Sequence, residues 1–136
     1  MQMDRNAKGK WLARVLKALE ERVLIVEGKH DSNALKVMGV STEIVSAVGR
    51  TERIVESSKK ASEMAEKKIA LLFDFDAEGE RKTSFFEEVF FRHDVNVDVR
   101  LRKEVRRLFR VRTIEELAGA YERMQEEIGE STGSRK

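Results

Sequence analysis

The chain has 136 residues with neither cysteine nor proline, and its 27 basic and 25 acidic side chains leave a net charge of +2. A chain of this length predicts one domain, and the lack of cysteine excludes disulfides and a thiolate zinc site. No apolar run approaches the ~20 residues that span a bilayer, and residues 1–30 lack the apolar segment of a signal peptide, so we expect a cytoplasmic protein without membrane association.

Hydrophobic periodicity predicts alternating helices and strands. Residues 7–21 place their apolar side chains on one stripe, which is typical of an amphipathic helix packed on a domain. The further predicted elements are, in chain order, a strand at 23–26, a helix at 31–38 ended by Gly39, a strand at 43–48, a helix capped by Thr51, a strand at 69–73, a helix whose Phe85, Phe86, Val89 and Phe90 face the core, and an alternating strand at 95–102 with the pattern of a sheet edge.

A capping box with the sequence Thr-Ile-Glu-Glu begins at Thr113 and predicts the start of a last helix. Apolar residues repeat at helical spacing from Ile114 to Ile128, and the polar residues that follow predict a flexible tail. We therefore divide the chain into an N-terminal helix at residues 1–21, a domain with its C-terminal helix at residues 22–128, and a tail at residues 129–136.

Carboxylates follow two of the apolar runs. One run ends at Glu27, and another ends at Asp74, with Asp76 two positions further on. Short runs rich in branched side chains suit parallel strands buried on both faces, and ligands bind beyond the carboxyl ends of such strands where the strand order reverses. Right-handed crossovers and the need to bring Glu27 beside Asp74 predict the order 2-1-3-4. Carboxylates that meet there repel one another unless protons or a cation intervene, and hard oxygen ligands select Mg²⁺ or Mn²⁺.

The same segments resemble the motifs of the Toprim family, which includes topoisomerases, bacterial-type primases, old-family nucleases and a ribonuclease that matures a small ribosomal RNA. The matching sequences are Val-Leu-Ile-Val-Glu-Gly-Lys-His-Asp at residues 23–31 and Leu-Phe-Asp-Phe-Asp-Ala-Glu-Gly-Glu at residues 72–80. The resemblance covers roughly residues 22 to 102 and is strongest to small, free-standing Toprim proteins of archaea and bacteria. It implies an α/β, Rossmann-like three-layer fold with a four-stranded, mostly parallel sheet flanked by helices.

The resemblance also implies roles for the acidic residues. In the Toprim family the glutamate of the first motif is a general acid or base and the Asp-x-Asp of the second holds magnesium, so Glu27 would transfer a proton while Asp74 and Asp76 bind the metal with Glu27. Glu78 continues the acidic spacing and is either a further ligand or an exposed first-turn residue favoured by the helix dipole. Asp31 matches the family's Glu-Gly-x-x-Asp pattern or is only a helix cap.

Basic residues concentrate near the C-terminal part of the domain. Seven of the thirteen residues at 100–112 are Lys or Arg, and helical spacing would give them one positive face that neutralises phosphates. A solvated face paired with acidic neighbours is an equal alternative. The charged fraction of 38% also resembles that of heat-adapted proteins. The candidate phosphate-binding residues are Lys29, Arg50, Arg81, Lys82, Arg102, Lys103 and Arg106, of which Arg50, Arg81 and Lys82 are equally well explained as solvated surface residues.

These features favour a Mg²⁺- or Mn²⁺-dependent nuclease or nucleotidyl transferase that acts on nucleic acid, with RNA favoured over DNA. The alternative is a nucleic-acid-binding or protein-binding subunit of a larger processing complex, without activity of its own. A phosphohydrolase with a nucleophilic aspartate is a third class, but its Asp-x-Asp follows the first strand rather than the third. Full topoisomerase activity is not expected, because the only tyrosine, Tyr121, lies on an apolar helical stripe.

Overall fold

Four short strands and six α-helices account for most of residues 4–130, the part of the chain that the computed structural model describes; the side chain of Glu130 is not included. None of the helices in this part is long and apolar enough to cross a bilayer. The elements are α1 (Arg5–Glu20), β1 (Arg22–Val26), α2 (Lys29–Val37), β2 (Ile44–Ser46), α3 (Thr51–Ala65), β3 (Lys68–Leu71), α4 (Ala77–Arg92), β4 (Val97–Asp98), α5 (Leu101–Phe109), a 3-10 turn (Ile114–Glu116) and α6 (Leu117–Glu130).

The four strands form one parallel sheet in the order β2-β1-β3-β4, which confirms the predicted order and the α/β class. The chain leaves β1 through α2 toward β2 and then returns across β1 through α3 to reach β3. The strand order therefore reverses between β1 and β3, where Ile25 pairs with Leu71 near the ends of both strands. This reversal places the residues that follow β1 and β3 side by side at the carboxyl edge of the sheet.

Both faces of the sheet are covered, so the structure has three layers. Alternate residues of the central strands point to opposite sides: Val23 and Ile25 pack with α3 and α4, whereas Leu24 and Val26 pack with α1, α2, α5 and α6. The four apolar side chains of β1, at residues 23–26, are fully buried. This double coverage explains why the strand sequence is continuously apolar rather than alternating.

The predicted strand at residues 95–102 is wrong beyond Asp98. The Asp98 carboxylate accepts hydrogen bonds from the N–H groups of Arg100, at 2.8 Å, and Leu101, at 3.1 Å, and these bonds turn the chain into α5. The alternation of valines continued past this turn, but Val99 is half exposed and Leu101 is already helical. The two hydrogen bonds to the Asp98 side chain therefore end β4, whereas hydrophobic periodicity alone predicted a longer strand.

Smaller differences concern the helices. Phe86, Val89 and Phe90 lie in the core as predicted, but Phe85 is 49% exposed. Arg50, rather than Thr51, occupies the N-cap of α3 and makes no side-chain capping bond. The capping box at Thr113 is confirmed and begins the 3-10 turn that leads into α6. Of the predicted tail, residues 129 and 130 continue α6 and residues 131–136 lie outside the described part of the chain.

Replacing Asp98 by alanine is expected to lower the free energy of unfolding by about 1–2 kcal/mol, because it removes the two hydrogen bonds that the Asp98 carboxylate accepts at the start of α5. It also removes the ion pair with Arg22, which reaches Asp98 at 2.8 Å across β3. Burial acts to raise the pKa of Asp98, but the two N–H donors and Arg22 outweigh it and the pKa lies below its ordinary value. The stability that Asp98 contributes is therefore present above the unfolded-state pKa of about 3.9 and is lost as the pH falls toward the lower folded-state pKa.

Urea unfolding of wild type and Asp98→Ala at pH 7 and pH 3 would measure this difference. Glu56→Ala, which removes an exposed carboxylate from α3, is the control. An equal difference at both pH values would show that the ionised form of Asp98 is not what stabilises the start of α5.

Candidate functional site

Acidic residues follow β1 and β3, the two strands between which the strand order reverses. Glu27 comes directly after β1 and is separated from the start of α2 by Gly28. Its side chain is 46% exposed and forms an ion pair with Lys82 of α4. Asp74 follows β3, and Asp76 is the N-cap of α4. The edge of the sheet thus carries three carboxylates together with one lysine.

The segment around Asp74 is held by hydrogen bonds from two later parts of the chain. Its carboxylate oxygen Oδ1 accepts a bond from the N–H of Ile114, at 2.8 Å. The N–H of Phe75 donates to the carbonyl of Arg112, at 2.8 Å. The guanidinium of Arg102 donates to the carbonyls of Phe73, at 3.0 Å, and Asp74. The position of Asp74 therefore depends on residues 102–114, far along the chain from both motifs.

Arg102 has a different environment from the one expected of a phosphate-binding residue. It is only 7% exposed, forms an ion pair with Glu80 at 3.0 Å and lies over the ring of Phe75, 5.0 Å from its centroid. The protein itself already neutralises and hydrogen-bonds this guanidinium. Its role in the structure is to fix the loop after β3, whereas the sequence had assigned it to substrate.

Gly79 allows α4 to lie directly against the Asp74 segment. Its N–H donates to the Asp76 carboxylate at 2.8 Å, and a Cβ atom added here would lie 1.7 Å from the carbonyl oxygen of Asp74. No side chain fits in that space. In the sequence analysis Gly79 was only part of a motif. A glycine in the first turn of a helix, where better helix formers are available, is itself a sign of close packing.

Asp31 is a further member of the acidic group. Although it lies in the first turn of α2, the N-cap is Gly28, so Asp31 is not simply a cap. Burial raises the pKa of Asp31, and the charges of Asp74 and Glu27 raise it further, while the N–H groups of Glu27 and Gly28 oppose the shift. We call Glu27, Asp31 and Asp74 the acidic cluster, because the charges of Glu27 and Asp74 both act on Asp31.

The acidic cluster does not form a ready coordination site. Within residues 4–130, no three acidic, histidine or cysteine side chains lie close enough together to hold one metal ion. Glu78, a predicted ligand, is instead exposed and paired with Arg81. The donor chemistry is nevertheless of the kind that a hard cation takes, because Asp74 and Asp76 each bind a backbone N–H through Oδ1 and no described residue donates to Oδ2.

The predicted phosphate-binding residues fall into separate groups. Lys82 forms an ion pair with Glu27 in the candidate site, whereas Arg81 forms one with Glu78 on the exposed surface of α4. Lys29 and Arg50 are exposed at the starts of α2 and α3, beyond the ends of β1 and β2. The remaining two, Lys103 and Arg106, line a cleft beside Phe75.

Replacing Gly79 by alanine is expected to destabilise the protein by about 3 kcal/mol or more, since the added methyl group collides with backbone rather than with a flexible side chain. The matched control is Gly119→Ala in α6, where the added Cβ meets only Arg123 at 3.4 Å and the gain in helix propensity should stabilise by about 0.5–1 kcal/mol. Thermal unfolding of both variants tests the packing of α4, and a Gly79→Ala protein as stable as wild type would contradict it.

Comparison with known proteins gives one family. The UPF0292 protein of Thermococcus kodakarensis is 33% identical over 106 residues, which cover 76% of this chain and 77% of that protein. A UPF0292 protein of Thermococcus gammatolerans is 31% identical over 103 residues, 74% of each chain. A solved structure of a protein from Aquifex aeolicus superimposes with a TM-score of 0.65 at 29% identity and covers 79% of this chain and 95% of its own. No family model matches the sequence. The identity and coverage of these relatives show that the chain belongs to the UPF0292 family.

Proposed function

We propose that this protein is a Toprim-type enzyme that cleaves or forms phosphodiester bonds in nucleic acid with Mg²⁺ or Mn²⁺, and that its substrate is RNA rather than DNA. The observation that carries the proposal is the acidic cluster of Glu27, Asp31 and Asp74 at the reversal of strand order, where burial and then repulsion by Asp74 and Glu27 raise the pKa of Asp31. A cation would relieve that repulsion. A cytoplasmic location is part of the same proposal.

Asp74 and Asp76 are the residues proposed to hold the ion, through the oxygens that the backbone leaves free. A bound divalent ion neutralises charge on a phosphate and makes an attacking water more acidic. The backbone bonds from Ile114 and Gly79 orient the two carboxylates in advance, so that little side-chain entropy is lost on binding.

Glu27 is proposed to move a proton to or from the attacking or leaving oxygen, because it is a half-exposed carboxylate of the acidic cluster. Lys82 holds Glu27 in the structure, and a phosphate that arrives at the site would compete for this lysine. Transfer of Lys82 from Glu27 to the phosphate would free the carboxylate and stabilise the substrate at once. Lys29, exposed in the first turn of α2, is a second cation available to the phosphate.

A second candidate function is supported by a separate observation. The carboxylates of residues 4–130 form no ready three-ligand site, and Glu27 is already neutralised by Lys82. Both facts suit a subunit that binds nucleic acid or protein within a larger processing complex and has no activity of its own.

A cleavage assay distinguishes the two candidate functions. End-labelled structured RNA and duplex DNA are incubated with the protein and Mg²⁺ or Mn²⁺, and cleavage products are expected only from an enzyme. We expect metal-dependent products from RNA, and a loss of about 10²–10⁴-fold in rate for Glu27→Gln, as for other general acids and bases. Asp74→Asn and Asp76→Asn should abolish the products while they keep an oxygen for the N–H groups of Ile114 and Gly79, so folding is preserved.

Glu56→Gln, on the exposed face of α3, is the matched control and should cleave like wild type. Products of equal yield from the three site variants would exclude this site as their source. Salt-sensitive RNA binding without products would favour the binding subunit instead.

A further inference from the structure

A cleft of about 710 Å³ lies beside the Asp74 segment and is strongly basic. Phe75 lines this cleft. Among the described residues that line it, Glu80 is the only acidic one, and it forms an ion pair with Arg102. The cations on its walls are Lys103, Arg106, Arg107, Arg110 and Arg112. Among the described residues, Lys103, Arg110 and Arg112 form no ion pair. Three of the six cations that line the cleft, Arg102, Arg106 and Arg107, are thus paired with acidic neighbours, and the other three leave the cleft positively charged.

The positive surface continues from this cleft onto α1. A second depression, of about 370 Å³, lies between α1 and α5. It is bordered by Lys10, Trp11 and Arg14 of α1 and by Glu104 and Arg107 of α5, which form an ion pair. Arg107 lines both depressions. We call the two together, from Arg112 to Arg14, the basic groove. The basic groove runs from the loop that follows β3 to α1, and α1 lies outside both sequence motifs.

Trp11 gives the basic groove an aromatic surface of fixed orientation. Its indole N–H donates to the Glu104 carboxylate at 2.9 Å, and its ring packs against the core while remaining partly exposed in the second depression. Lys10 and Arg14 border the same depression. Trp11 belongs to the apolar stripe predicted for residues 7–21, and the structure adds this second, partly exposed surface.

We propose that the basic groove binds a single-stranded segment of nucleic acid, with its cations on successive phosphates and a base stacked on Trp11. The inference deepens the proposed function and rests on it for the kind of partner. A cationic track combined with an aromatic side chain is how proteins bind single strands, whose base faces are open to stacking. A duplex offers its phosphates but hides those faces, so it would use the cations without Trp11.

Arg110 offers a clean test because its backbone has a positive φ of 58°, a conformation that glycine adopts without strain. Arg110→Gly removes a cation from the groove and should not lower the melting temperature. Glu66→Gly is the matched control, since Glu66 has a φ of 56° at the end of α3, on the other side of the sheet, and carries no positive charge.

Binding can be measured without chemistry, in EDTA, with an unlabelled uridine oligonucleotide and the fluorescence of Trp11, the only tryptophan in the chain. We expect saturable quenching by the oligonucleotide and weaker binding to a duplex of matched length. Labelled-oligonucleotide anisotropy at several salt concentrations should show that Arg110→Gly binds more weakly and that its salt slope falls by about one. Trp11→Leu should weaken binding about tenfold, the size of one lost base stack, and Glu66→Gly should bind like wild type.

The proposal is overturned if the oligonucleotide does not bind, if it binds without a change in Trp11 fluorescence, if the duplex binds more tightly, or if Arg110→Gly and Trp11→Leu bind like wild type. Binding in EDTA with no cleavage when Mg²⁺ is added would leave this inference standing and count against the proposed enzymatic function. Cleavage that is unchanged in Arg110→Gly and Trp11→Leu would support the proposed enzymatic function and count against this inference.

Discussion

The guanidinium of Arg102 joins α5 to the loop that follows β3, and the geometry of the candidate site depends on this contact. The carbonyls of Phe73 and Asp74 need donors after the strand ends, and Arg102 supplies both from a nearly buried position. A buried cation would be costly alone, but Glu80 neutralises it. A lysine has no planar fork with which to serve two carbonyls and an ion pair at once. The acidic loop is thus built partly by a helix that carries neither motif.

The strands and the carboxylates at their ends could be read from local sequence patterns. The order 2-1-3-4 needed two further premises, right-handed crossovers and the expectation that Glu27 lies beside Asp74. The contacts of Arg102 could not be read, since they join residues that are distant in the chain. The end of β4 depended on hydrogen bonds to Asp98 that override the alternation of valines. The exposure of Phe85 likewise depended on how α4 is rotated against the sheet.

The acidic cluster and the basic groove are connected through the loop after β3, because Asp74 belongs to the cluster and Phe75 lines the groove. Phe75 lines the groove, and its neighbour Asp74 adds its charge to that felt by buried Asp31. Lys82 offsets part of the negative charge through Glu27 but leaves the repulsion on Asp31. A substrate that brought phosphates along the groove, together with a cation, would balance the charges of both regions. This electrostatic match is the physical basis for assigning both regions to one polyanionic partner.

The most direct test of a cation site is the pKa of Asp31, measured by NMR of its carboxyl carbon with and without Mg²⁺. Without the ion, burial and then the charges of Asp74 and Glu27 hold the pKa of Asp31 above its ordinary value, so folded protein binds this proton more tightly than unfolded protein does. A Mg²⁺ ion held by Asp74 and its neighbours would replace repulsion by attraction, and the account predicts that the pKa of Asp31 falls when Mg²⁺ is added. An identical titration curve with and without Mg²⁺ would contradict the account.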